Sequence, residues 1–363
     1  MQEIRTAIHI NTHYTGGTAS HADLLAHALA ADLDVIITTD QNLLVHDLDG
    51  YAHKEDKNCL LLTAEEIFDR TQIPPHNRLM VLDTRHEMAP HAASPQQVIK
   101  KTSENSGMSF LLHPFAPEKS ALGENLPPWS TEDFPDGITG IEVWNSLSEL
   151  QEHASNPLLA ALLSSFPRLV RRGPNAKACQ YWDERLAAGE TVTAIAGSGL
   201  GNLKNASPRL KQYLLANISN HLILPRPLSG ELAEDCRMVF DALRRGHSFV
   251  ACDELAPAEG FRFTAKGRDE KAAIGDSVIL KDSVTFQIRL PQAAKCLLYK
   301  DGELIRKWED NDICVHTSTE PGAYRVEAIL TWLGQDVTWI LTNPIYVKPY
   351  IPAPLRDQLH DSY

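Results

Sequence analysis

Residues 6–41 read TAIHINTHYTGGTASHADLLAHALAADLDVIITTDQ, and their pattern decides the fold. Residues 6–11 form a short apolar run closed by His9 and Asn11. Ser20 is placed to cap a helix, with Asp23 three residues on and an apolar stripe at Leu24, Leu25, Ala28 and Leu29. A second apolar run, 35–39, ends on Asp40 and Gln41. This is strand, helix, strand. The runs are continuous Ile/Leu/Val stretches rather than alternating ones, as in strands buried on both faces by helices.

The same texture recurs along the first two-thirds of the chain. Further strands are expected at 59–63, 78–83, 109–113, 140–144 and 193–196, and further helices at 95–104 and 157–165. Seven strand–helix repeats predict a parallel α/β barrel or layered sheet. A long helix over about 230–245 leads into a different texture. From about residue 260 the pattern becomes period-two, as in Val284, Phe286, Ile288 and Leu290, which marks half-buried antiparallel strands. Expected strands there are 261–265, 277–280, 284–290, 295–301, 323–331 and 337–341. The division expected is an α/β barrel over 1–250 and a small all-β sandwich over 251–363.

Composition bounds the function. The chain has 363 residues, 43% hydrophobic and 22% charged, which is ordinary globular usage. Its formal net charge of −13 disfavours bulk nucleic acid and anionic lipid as partners. No apolar run approaches the roughly 20 residues that span a bilayer. No basic-then-apolar leader opens the sequence. The six cysteines lack CxxC spacing and read as reduced, mostly buried thiols. A cytoplasmic location is the expectation.

Candidate chemistry gathers at the predicted strand ends. His9 and Asn11, at i and i+2, share one face of their strand. Asp40 and Gln41 end the second, Glu65 and Glu66 follow the third, and His113 ends the fifth. Glu142 and Asn145 end the sixth, and Gly197-Ser198-Gly199 follow the seventh. The carboxyl ends of the strands form the active face of α/β barrels, and His, Asp and Glu converging there mark metal or acid–base chemistry. Most of the 15 histidines have no such placement.

These segments, in order, resemble the polymerase-and-histidinol-phosphatase (PHP) family of metal-dependent phosphoesterases. IHINTHYTGG (8–17) is similar to that family's opening His-x-His segment, and LDVIITTDQN (33–42) to its Thr-Asp-His motif. LLLTAEEIF (60–68) resembles the segment with its bridging glutamate, and FLLHPF (110–115) its Ala-His-Pro motif. GIEVWNS (140–146) resembles Ile-Glu-Val-x-Asn, and TAIAGSGLGN (193–202) sits where the family has Gly-Ser-Asp-Ala-His. The C-terminal part, ending in TNPIYV (342–347), is similar to the CehA/McbA-like branch. The resemblance implies a distorted seven-stranded (β/α)7 barrel followed by the β-sandwich, and two or three metals.

The ligand positions implied are 9, 11, 41, 66, 78, 113, 199 and 201. Only His9, Glu66 and His113 hold a good ligand there. Asn11, Gln41, Arg78, Gly199 and Gly201 do not, since amides bind these metals weakly and glycine has no side chain. Three readings follow. One is a non-catalytic or strongly weakened homologue that keeps the pocket for binding. Another is a hydrolase of a phosphate ester, or of an amide or ester, with one residual metal at His9, Glu66 and His113. The third is a metal-free enzyme with Glu66 or Asp40 as base and His9 or His113 as acid. The cofactor is then one divalent ion, zinc, manganese or iron, or none.

Asp40, Glu66 and His113 are the catalytic candidates. Asn11, Gln41, Arg78, Glu142 and Asn145 are the binding candidates. Arg78 places a permanent cation where a ligand stood. It would bind a small anionic molecule bidentately or fill the space with a salt bridge to Glu66. His13 is a spare ligand candidate. The basic run 167–172 would steer an anion or form a solvated helix end. Trp308, Trp332 and Trp339 are core, or a platform for a sugar or partner.

Overall fold

The computed structural model describes residues 1–350 except 124–125, 132, 170–172, 202 and 204–205. Positions 170–172 of the basic run, and 351–363 of the expected sandwich, lie outside the described residues.

The N-terminal strands are β1 (Gln2–Ile10), β2 (Val35–Gln41), β3 (Gly50–Lys54), β4 (Lys57–Ile67), β5 (Leu79–Leu82), β6 (Met108–Leu111), β7 (Gly140–Asn145), β8 (Thr193–Gly197), β9 (Ser219–Leu224) and β10 (Ser248–Ala251). The helices are α1 (His21–Ala30), α2 (Pro95–Glu104), α3 (Ser146–His153), α4 (Pro157–Ser165), α5 (Ala176–Ala187), α6 (Pro208–Ala216) and α7 (Leu232–Arg245). Helix α1 begins with the expected Ser20 cap, completed as a capping box by Asp23, and buries Leu24, Ala28 and Leu29. The fold is mixed α/β.

Hydrogen bonding runs β1–β2–β4–β5–β6–β7–β8. The turn after β8 then returns to β1: Ser198 N–H donates to Ile8 O at 2.9 Å, and Leu200 bridges Ile10. The sheet closes. Each of these seven strands overlaps one of the seven stretches read as strands from the sequence.

Several features depart from regular strand–helix alternation, and among the described residues no helix lies between β4 and β5 or between β6 and β7. Strand β5 runs antiparallel to both neighbours. The hairpin strand β3, rather than a helix, lies between β2 and β4. A strand this short, buried on both faces, pairs in either direction. Nothing in its four apolar residues encodes polarity.

The C-terminal strands are β11 (Arg262–Lys266), β12 (Lys271–Ala273), β13 (Ser277–Leu280), β14 (Val284–Lys300), β15 (Glu303–Ser318), β16 (Gly322–Trp332), β17 (Gln335–Thr342) and β18 (Ile345–Pro349). They enclose a second core around Phe261, Phe263, Phe286, Val326 and Trp339. The two strands expected at 284–290 and 295–301 are one strand, β14, with irregular register between Arg289 and Cys296. Strand β15 was not legible because it is almost wholly exposed and carries no apolar alternation. Trp339 is core, whereas Trp308 and Trp332 are half-buried.

The sheet does not stop at residue 250. Strand β9 pairs with β1 and β10, and β10 pairs with β17. Asn343 bonds the backbone of Ala194 and Ser248, and Arg325 forms a bidentate pair with Asp183 at 2.6–2.7 Å. Among the described residues no helix is long and apolar enough to cross a membrane.

Candidate functional site

The carboxyl ends of β1, β2, β4, β6, β7 and β8 share one mouth of the barrel. Because β5 runs the other way, its amino end lies at that mouth, and Arg78, the residue before it, joins the group. His9 forms the bulge that shifts register between Ile8 and Ile10 on β1. It has φ 65°, and His113, just past β6, has φ 30°. Non-glycine residues seldom adopt such backbone, and it clusters at sites that demand a particular side-chain direction.

His9, Glu66 and His113 converge. One ligand atom from each lies within 4.8 Å of the others, and all three residues are buried. The two imidazoles stack with centroids 5.6 Å apart. His9 Nδ1 is 2.7 Å from Glu142 Oε1, and His9 Nε2 is 3.7 Å from Glu66 Oε2. Glu142 also accepts from the His113 backbone N–H at 2.8 Å and from Asn145 Nδ2 at 2.9 Å. Asn145 Oδ1 caps helix α3 through Leu147 and Ser148 N–H.

Each Glu66 oxygen accepts a hydrogen bond. Arg78 Nη1 donates to Oε1, and Asn11 Nδ2 donates to Oε2 at 2.9 Å. The Arg78 guanidinium also lies over the Phe68 ring, 4.2 Å from its centroid, and Nε donates to Pro75 O. Among the described residues, Arg78 Nη2 has no protein partner.

The charges set one another. Burial opposes protonation of His9, but the Glu142 and Glu66 carboxylates outweigh it and raise the imidazole to about 10. Burial likewise opposes ionisation of Glu66, yet Arg78, His9 and Asn11 hold its carboxyl far below the usual range. His113 is pushed down to about 4, by burial first and then by the His9 and Arg78 charges. The neutral form of the imidazole is thereby favoured.

The other sequence candidates have different contacts, and Gln41 sits opposite Glu66 in the β2–β4 register. Asp40 spends its oxygens on the first loop, accepting from Thr12 N–H at 3.0 Å, Thr12 Oγ1 at 2.7 Å and Thr15 Oγ1 at 2.6 Å. Gln41 accepts through its backbone carbonyl from Arg70. His13 is exposed and packs on Tyr14.

The two glycines are filled positions. A Cβ on Gly199 would stand 2.7 Å from Leu147 Cβ and 2.9 Å from Asn145 Oδ1. A Cβ on Gly201 would stand 2.4 Å from Asn11 O. Both have positive φ, 67° and 107°. The space that side chains would need there is taken by Asn145 at the end of β7, Leu147 in α3 and Asn11 just after β1.

The donor set can be tested against a metal. His9 Nε2 and both ring nitrogens of His113 are buried without a hydrogen-bond partner. Two imidazoles and a carboxylate suit one divalent ion. They do not suit a cluster of two or three, because positions 11, 41, 78, 199 and 201 supply no strong ligand.

No family profile matches the chain. It is 20% identical over 192 residues to an uncharacterised protein of Methanocaldococcus jannaschii, an alignment spanning 50% of this chain and 100% of that protein. Among solved structures it is similar to a two-domain protein from Bacteroides vulgatus containing a predicted PHP-like metal-dependent phosphoesterase. That likeness has 12% identity, a TM-score of 0.43 and coverage of 94% and 95% of the two chains. A protein from Bifidobacterium adolescentis, described as a candidate metal-dependent phosphoesterase, is similar at 13% identity, with a TM-score of 0.31, over 56% of this chain and 90% of that one.

Proposed function

We propose that residues 1–250 form a PHP-type barrel whose metal cluster has eroded, and that the chain binds a small anionic molecule at the barrel mouth without hydrolysing it. The described β-rich part, 251–350, buttresses the barrel. One observation carries the reading. Both Glu66 oxygens are already occupied, by Arg78 and Asn11. The bridging carboxylate of the resembled family is thereby turned from metal ligand into half of an ion pair. Arg78 supplies a fixed positive charge, and its unused Nη2 offers a planar donor to a phosphate or carboxylate. Deep burial of the triad fits a centre that supports the mouth rather than one that turns over substrate.

The partnerless nitrogens of His9 and His113 favour a second reading, one ion held by His9, Glu66 and His113. Such an ion supplies Lewis acidity and acidifies a bound water. In that reading Glu142 orients the His9 ring through Nδ1, and Asn145 orients Glu142.

Elemental mass spectrometry after incubation with zinc, manganese or iron, paired with calorimetric titration of inorganic phosphate, separates the two. The binding reading expects well under one metal per chain, and phosphate binding that Arg78→Ala removes. One metal per chain, lost in both His9→Ala and His113→Ala, overturns it in favour of the hydrolase.

A further inference from the structure

Helix α4 turns its larger side chains outward. It buries only Ala160 and Leu163. Leu158 is 80% exposed and Leu162 42%, and Leu159, Phe166 and Leu169 are exposed as well. Residues four apart share one strip of a helix, so Leu158 and Leu162 form a ridge that Phe166 continues at the helix end. A helix of nine residues is too short to persist on its own propensity and depends on packing. These side chains together expose on the order of 400 Å² of apolar surface, the size at which a patch marks an interaction site.

The other flank of α4 borders a cavity of about 430 Å³, lined by Ala160, Ala161 and Ser164 together with Leu122, Leu203 and Leu210. Ridge and groove run side by side along one helix. On the solvent side, Ala161 and Ser165 lie between them, again four apart and both exposed. Small side chains in such a row let a second helix approach closely, in the commonest class of helix packing.

The face is uncharged. From Pro157 to Pro167 the chain carries no Asp, Glu, Lys, Arg or His. Arg168, at its border, pairs with Glu254 at 2.7 Å. Arg209 lies over the Phe166 ring, 5.6 Å from its centroid. A net charge of −13 sets copies of the chain against one another at long range, and the patch itself brings no like charges together at contact.

We propose that α4 is the contact between two copies of this chain. The copies pack α4 against α4 about a twofold axis close to Ala161, and Leu158 and Leu162 of each enter the groove of the other. An isologous contact needs ridge and groove on the same surface, and α4 carries both. Covering the patch on both copies removes about 800 Å² of apolar surface. At about 65% apolar the whole interface is then about 1,200 Å², the size of a specific association.

The test is sedimentation equilibrium of the full chain from about 1 to 200 μM, where a two-chain species with a dissociation constant on the order of 1–10 μM is expected. Leu162→Arg and Leu158→Arg each put an unpaired charge into the contact and should weaken it more than about 100-fold. Both positions are exposed, so an unchanged melting temperature shows that each variant folds. Ala161→Cys tests the axis. Under a mild copper–phenanthroline oxidant it should form a disulfide-linked dimer on a non-reducing gel, because the twofold sets residue 161 against itself. Ile73→Cys, 95% exposed and outside α4, should not. A chain that stays monomeric at about 200 μM, a dimer indifferent to both arginine variants, or equal cross-linking of the two cysteine variants would each overturn the proposal. A monomer that floats with phosphatidylcholine vesicles would overturn it too, and would give the patch to a lipid surface.

Discussion

Arg78 and Glu66 form a buried ion pair at the barrel mouth, between the residue before β5 and the end of β4. The pair exists because β5 is reversed, which brings the start of one strand beside the end of its neighbour. Breaking it from one side should be costly. Arg78→Met leaves a buried carboxylate short of its cation and should destabilise the chain by about 3–5 kcal/mol. Pairing that change with Glu66→Gln should recover most of the loss. Urea unfolding of the two variants checks this, and equal stabilities would show the pair to be slack.

Arg78→His should change the metal chemistry. It removes the cation that pairs with Glu66 Oε1 and adds a third imidazole near His9, Glu66 and His113. We expect one zinc per chain by elemental analysis, where the parent protein takes up far less.

Gly199→Asp should not restore a site by itself. Its Cβ would press on Leu147 and Asn145, in a backbone conformation that L side chains avoid. The expected result is a loss of about 1–3 kcal/mol with metal content unchanged. A gain of metal on this single change would show that the mouth repacks freely.

Stability should fall on the alkaline side through His221. Burial works against its imidazolium, but hydrogen bonds to Asp253 and Glu3 outweigh this and raise it above 6.5. Arg5 also faces Asp253, Arg262 faces Glu3, Ser219 donates to Asp253, and the ring stacks on Phe249. A raised value in the folded state means stabilisation that is complete below pH 6.5 and lost as pH climbs through the raised value. His221→Gln should flatten that alkaline limb in melting curves taken from pH 6 to about 10. An unaltered slope would remove His221 as its cause. Glu3 and Asp253 are held low in the folded chain, so their contribution is lost in acid instead.

Asp183→Ala should destabilise by about 3–5 kcal/mol, because it leaves the Arg325 guanidinium buried between Trp182 and Tyr299 without its carboxylate. The pair joins α5 to β16. A chemical denaturation curve would also show whether the β-rich part then melts ahead of the barrel.

The sequence by itself determined the stretches that become β1, β2 and β4 to β8, the Ser20 cap and the change of texture near residue 260. These follow from local periodicity and capping chemistry, which neighbouring residues settle among themselves. It also placed His9, Glu66, His113 and Glu142 at strand ends, since residues at the ends of pleated runs take predictable faces. Only the tertiary structure decided the direction of β5, because four apolar residues pair equally well either way. That direction put Arg78 on Glu66. Tertiary packing alone turned Asp40 toward Thr12 and Thr15, filled the space above Gly199 and Gly201, and left the ring nitrogens of His113 without partners. Each of these depends on which distant side chain arrives first at a shared space, and no local pattern records that.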